Sequence, residues 1–177
     1  MSDSGSSFDT VMSSLDNAMA VVTAASGDER AGCLIGFHAQ SGIDPERYCV
    51  WLSKANHTYR IGLRSPYLGV HFLTSGDRGL AELFGTETGD EVDKFADLRV
   101  GEGPDGVPVL LDCPHRLVVR RTTLVDEGGD HVCVATEIVD VQSSGRFEPL
   151  RLSDLADLVP GHEAEERHDP PTERAAD

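Results

Sequence analysis

The sequence predicts a mainly β protein, a small antiparallel β-barrel with two or three short helices. Three observations predict it. Short runs rich in β-branched and aromatic residues recur about six times, each bounded by Gly, Pro, Asn, Asp or Ser. Two of the connections read as hairpin turns, Ser26-Gly27-Asp28 and the DEGGD of residues 126–130. No G-x-G-x-x-G follows a strand, and neither G-x-S-x-G nor a P-loop occurs, so a doubly wound βαβ fold is a poor reading.

The elements follow in chain order. Phe8, Val11, Met12 and Leu15 fall at i, i+3, i+4 and i+7, one apolar stripe on a short helix capped by Ser6 or Ser7. Residues 18–25 (AMAVVTAA) read as a strand that turns at Ser26-Gly27-Asp28 into a second strand over 32–37, the two pairing antiparallel. A turn, SGIDPER at 41–47, parts this strand from the next, over 48–52. Residues 58–64 read as helix, 67–73 (YLGVHFL) as a buried strand holding His71, 80–84 as a helical turn, and the stretch near 91–95 as another. A Gly/Pro loop over 101–106 precedes an apolar element from Val107. The long alternating runs 117–125 and 131–141 form a hairpin, which places the adjacent Arg120 and Arg121 on opposite sides of their strand. Residues 147–152 would add a short strand and 153–159 a helical turn. His71, alone on an apolar strand, is expected to be a hydrogen-bonded core residue, and Gly32 and Gly36 imply either something lying against their strand or a tight barrel corner.

At 177 residues the chain is about one domain, able to bury a core without disulfides or metals. Residues 1–7 read as a mobile tail, 8–159 as the folded domain, and 160–177 as a disordered acidic tail. The net charge of -16 argues against nucleic acid, which needs clustered Lys and Arg. Neither a signal peptide nor a bilayer-length apolar run is seen, so no membrane partner and a cytoplasmic location are expected. Cys33, Cys49, Cys113 and Cys133 sit in or beside apolar stretches without a C-x-x-C, as small buried thiols do. No His/Cys/Glu cluster has zinc spacing, and no metal is expected.

One stretch carries functional chemistry. Between the strand at 48–52 and the helix at 58–64 lies Ser53-Lys54-Ala55-Asn56-His57-Thr58. A polar loop before a helix start offers free backbone N–H groups and a favourable dipole to an anion. Lys54 adds a point charge, and Ser53, Asn56 and Thr58 add neutral donors, so a phosphate-bearing ligand is one reading. An ordinary helix cap at Asn56 or Ser53 is the other.

The ordered series AMAVVTAA, AGCLIGF, GIDP, VWLSKANHTYR, VHFL, LAELFG, DKF, GVPVL and GDH before an apolar strand resembles the flavin reductase-like family. The resemblance runs from about Phe8 to Val141. It implies a split β-barrel, usually a homodimer, that binds FMN or FAD and is reduced by NADH or NADPH. Gly36, Phe37, His38, Ala39, Gln40 and Ser41 then correspond to the flavin-contacting loop. Ser53, Lys54, Asn56, His57 and Thr58 correspond to the phosphate loop, and Phe95 to an aromatic beside the ring system. Gly129, Asp130 and His131 fall where the reduced nicotinamide approaches, with His131 as the catalytic contact. Many members carry Ser or Thr where this chain has His38 and Ala39, so a hydroxyl to the flavin is expected to be missing at Ala39. The resemblance implies an NAD(P)H-dependent flavin reductase, with a monooxygenase component as a partner for the reduced flavin. An oxidoreductase using tightly bound FMN or the deazaflavin F420, and a non-catalytic flavin-binding module, are the alternatives.

Overall fold

The computed structural model describes residues 6–89, 91–159 and 161. Of the expected tails, 1–7 and 160–177, residues 1–5, 160 and 162–177 lie outside the described residues, while Ser6 and Ser7 belong to the cap and start of the first helix. Helix α1 (Ser7–Leu15) forms where the apolar spacing places it. Ser6 caps it: its Oγ accepts the Asp9 N–H at 3.2 Å, and the Asp9 carboxylate accepts the Ser6 N–H at 3.0 Å. The helix ends at Asp16, whose φ of 47° lies in the left-handed region. No residue of α1 is buried within this chain.

Nine strands follow among the described residues. They are β1 (Ala20–Ser26), β2 (Glu29–Ile35), β3 (His38–Ile43), β4 (Glu46–Ser53), β5 (Tyr67–Phe72), β6 (Val100–Glu102), β7 (Pro108–Leu110), β8 (Arg116–Val125) and β9 (His131–Gln142). Helix α2 (His57–Gly62) joins β4 to β5, and α3 (Arg78–Thr86) follows β5. Seven strands form one antiparallel sheet in the order β2-β1-β5-β8-β9-β4-β3, and β6 with β7 makes a separate ribbon. The β1–β2 hairpin turns at Gly27, whose φ of 61° suits glycine, and the β8–β9 hairpin pairs from Val125↔Cys133 to Arg116↔Gln142. Arg120 and Arg121 do diverge. Arg120 meets Glu137, while Arg121 donates to the carbonyls of Gly62 and Leu63 at the end of α2.

Several expectations need correction. The stretch from His38 to Ile43, read as loop and turn, is the edge strand β3, paired among the described residues with β4 alone. Its polar, largely exposed residues carry no apolar alternation, and only backbone pairing with β4 defines it. The stretch near 91–95 makes turns without a helix, and 147–152 contributes only two isolated bridges, Ala18↔Arg151 and Thr74↔Pro149. The helical turn expected over 153–159 is a 3-10 turn at Leu152–Leu155. The large sheet leaves β2 and β3 as edges and is not closed into a barrel. Apolar packing folds the sheet over instead, since Cys33 and Ile35 of the edge strand β2 share one core cluster with Val50 and Leu52 of β4, the strand before the other edge. Each fully buried aliphatic side chain of this kind contributes about 1.5–3 kcal/mol.

A second cluster lies under α3, around Phe84, Phe95, Leu73 and Leu110. It explains Gly32: a Cβ there would stand 2.6 Å from the Phe84 ring, so what lies against this strand is the chain's own aromatic. His71 is the core histidine expected, fully buried and bonded on both ring nitrogens. All four cysteines are free thiols; Cys33 and Cys113 are buried, and Cys49 and Cys133 half-buried. No described helix is long and apolar enough to cross a membrane.

Candidate functional site

Where β2 leaves its ladder with β1 and the chain crosses to β3, residues Gly36 and Phe37 face the end of β4. Alternation along β4 puts Trp51 and Ser53 on one side of the strand. The register Ser53↔His131 sets the first residue of β9 beside them, and Asn56 precedes α2. Together with Met19, Leu34, Ile35 and the C-terminal Leu152 and Leu155, these residues enclose a mainly apolar cavity of about 320 Å³. The C-terminal pair reaches it because residues 149–151 lie between two parts of the chain: the Met19 N–H donates to the Leu150 carbonyl at 2.8 Å, and the Leu150 N–H to that of Leu73 at 2.9 Å.

Three ring systems border the cavity: Phe37, Trp51 and His131, with the Phe37 and His131 centroids 5.1 Å apart. Asp130 Oδ1 lies 2.9 Å from His131 Nδ1. A carboxylate only accepts, so Nδ1 carries the hydrogen and Nε2 is the nitrogen left for a ligand. Ser53 Oγ is buried and, among the described residues, the one buried side-chain oxygen or nitrogen without a hydrogen-bond partner. An orphaned buried hydroxyl at a cavity wall is what a polar ligand atom would satisfy. Among the described residues, the lining contains no Lys, Arg, Asp or Glu. These residues fit a flat, largely apolar ring system held by neutral donors, which is the ring end of a flavin.

Of the expected site residues, the structure therefore gathers Gly36, Phe37, Ser53, Asn56 and His131 at one cavity. The others stand elsewhere. His38 is bonded through its ring to the Tyr48 hydroxyl at 2.7 Å and the Ala18 carbonyl at 2.8 Å. Burial pushes its pKa below the usual imidazole value, with the Ala18 bond opposing the shift, and burial raises Tyr48 to about 12. Ala39, Gln40 and Ser41 are exposed on β3. Thr58 is buried beside Cys33, whose thiol burial pushes upward, while His57 contacts Arg60. Phe95 is a core residue packed edge-on against Phe84, 5.6 Å between centroids, and does not line the cavity. Lys54 lies 3.0 Å from Asp126, and Gly129 and Asp130 sit in the β8–β9 turn.

Sequence reasoning missed Trp51, Met19 and the C-terminal leucines. Trp51 had a readable signal, being two residues before Ser53 on a strand and so on the same face. The aliphatic lining had none, because a leucine that faces a cavity looks like one that faces the core.

Solved structures share this fold. Flavin reductase HpaC, in complex with NADP+, matches with a TM-score of 0.70 at 20% identity, over 83% of this chain and 94% of that one. An NADH:FAD oxidoreductase of Streptomyces globisporus C-1027 matches with a TM-score of 0.69 at 21% identity, over 81% and 90%. A Sinorhizobium meliloti 1021 protein matches with a TM-score of 0.72 at 19% identity over 81% of this chain, which spans only 49% of that longer one. The family model described as flavin reductase like domain matches residues 12–154, and the chain belongs to that family.

Proposed function

We propose that the protein is an NAD(P)H-dependent flavin reductase that moves hydride from a reduced nicotinamide to FMN, with FAD as the alternative acceptor. The observation that best supports this is the cavity that Phe37, Trp51 and His131 line together with Ser53, whose buried hydroxyl has no partner. Bound flavin and nicotinamide supply the hydride acceptor and donor, so the protein's task is placement and exclusion of water. Phe37 and Trp51 offer flat apolar faces. Ser53 and Asn56 offer neutral donors, and Gly36 leaves the cavity edge without a side chain. Asp130 fixes the His131 ring through Nδ1, which would leave Nε2 to meet the nicotinamide or flavin edge. No proton abstraction is required of any residue. The same reading takes the curled sheet as a split β-barrel and two copies as a cytoplasmic homodimer. A separate monooxygenase component would take up the reduced flavin.

Anaerobic mixing of the protein with FMN and either NADH or NADPH tests this by loss of the oxidised flavin's visible absorption. Bleaching well above the protein-free rate is expected, and His131→Ala should slow it by about tenfold or more while leaving the fold intact. Bound flavin that neither reductant bleaches would overturn the enzymatic reading, and an unchanged rate in the variant would remove His131 from it.

A further inference from the structure

We infer that Lys54 and Asp126 form a tether that positions His131 for the reduced nicotinamide, so that Lys54 acts on the second substrate and not on the flavin phosphate. The inference rests on the proposed role of His131 in the reductase reaction. Residues 126–130 close the β8–β9 hairpin and lead directly into His131. The Asp126 carboxylate makes two contacts in this turn. Its Oδ1 accepts the Gly128 N–H at 2.8 Å, and its Oδ2 lies 3.0 Å from Lys54 Nζ. These contacts hold the Asp126 carboxyl below its usual pKa, the Gly128 bond first and Lys54 next. The Lys54 backbone N–H also donates to the Asp130 carbonyl at 2.9 Å. Lys54 thus grips the turn at both ends, by side chain at Asp126 and by backbone at Asp130.

The next bond along is that of Asp130 to His131 Nδ1. A chain of polar contacts therefore runs from β4 through the turn to the ring at the cavity. Ser53 ends β4 and Lys54 follows it, and the two divide the work: Ser53 borders the cavity and Lys54 holds the turn. Two observations make the tether more than an ordinary surface ion pair. The Lys54 side chain is only 9% exposed, so its ammonium is largely removed from water and strongly favours a fixed partner. The turn itself contains Gly128, with a φ of 84°, and Gly129, two residues of free backbone, so beyond the Asp126–Gly128 bond it gains from a contact outside the turn.

The test is Asp126→Asn in the full-length protein, which keeps the Gly128 contact and removes the charge. Flavin Kd is read by fluorescence quenching, kcat and KM for the reduced nicotinamide by turnover, and the His131 ring by NMR, assigned through its loss in His131→Gln. The expected result is a KM for the reduced nicotinamide raised about tenfold, as loss of orientation predicts. Flavin Kd should stay within about twofold and the His131 resonances should move, with Asp126→Glu restoring most of the loss. An unmoved His131 with unchanged KM would overturn the tether. Equal weakening of flavin and nicotinamide would also overturn it and return Lys54 to the flavin site. If the wild-type protein oxidises no reduced nicotinamide, the reductase reading fails, and the His131 resonances of Asp126→Asn still decide whether the tether exists.

Discussion

Ser53 is the residue whose surroundings most clearly demand a ligand. A buried hydroxyl with no partner destabilises the free protein, because its lost hydration is not repaid. Ser53→Ala should therefore leave the ligand-free protein as stable as the wild type, or about 1 kcal/mol more stable. The same substitution should weaken flavin binding about three- to tenfold, the worth of one net hydrogen bond. Urea denaturation and a flavin titration measure both, and a marked drop in stability would mean that Ser53 has a structural partner in solution. Part of this site could be read in the sequence, because Ser53, Asn56 and His131 are polar residues at the ends of apolar runs, where polarity needs a reason. Lys54 could not be read so. A lysine beside a helix start looks the same whether it faces a phosphate or an aspartate 72 residues on, and only the fold of the β8–β9 turn brings Asp126 to it.

At the scale of elements, hairpins and buried strands were legible, and β3 was not. Burial writes itself into sequence as apolar periodicity, whereas an exposed edge strand is defined by its neighbour's backbone. The joint between the large sheet and the β6–β7 ribbon was equally hidden, and it is polar. Thr23 on β1 donates to the Pro108 carbonyl at 2.6 Å. His71 on β5 takes the Leu110 N–H on Nε2 at 3.0 Å, and its Nδ1 lies 3.2 Å from the Val21 carbonyl on β1. Because Nε2 accepts, Nδ1 carries the hydrogen, and the arrangement requires the neutral ring. Burial lowers the His71 pKa from 6.5 to about 4, and the Val21 bond opposes that shift. The unfolded chain thus takes the proton first as the pH falls. The stability that the neutral ring contributes is full above the unfolded pKa and is lost between about 6.5 and about 4, a change of about 3 kcal/mol. Thermal melts across that range should fall steeply for the wild type. They should fall less for His71→Leu, which starts lower because two backbone groups lose a partner. Parallel curves would show that His71 does not titrate with unfolding.

For the molecule as a whole, charge and apolar surface act in opposite directions on the proposed homodimer. Each chain carries -16, so two copies repel, and a close approach must be driven by something other than ion pairing. Exposed apolar side chains are available for that: Phe8, Val11 and Leu15 on α1, Phe37 and Ile43 flanking and ending β3, and Val139 and Val141 on β9. Repulsion between like surfaces is screened over about 8 Å at physiological salt and reaches about 30 Å at 0.01 M. Burial of apolar surface depends far less on salt in that range. A dimer held this way should therefore loosen as salt is removed, the reverse of one held by surface ion pairs. Light scattering on the full-length protein should give twice the 19.1 kDa chain mass at physiological ionic strength and a lower average mass at about 0.01 M, in dilute samples. A single-chain mass under both conditions would remove the homodimer from the reading. A dimer that tightens as salt falls would show that ion pairs across the interface, and not apolar contact, hold it.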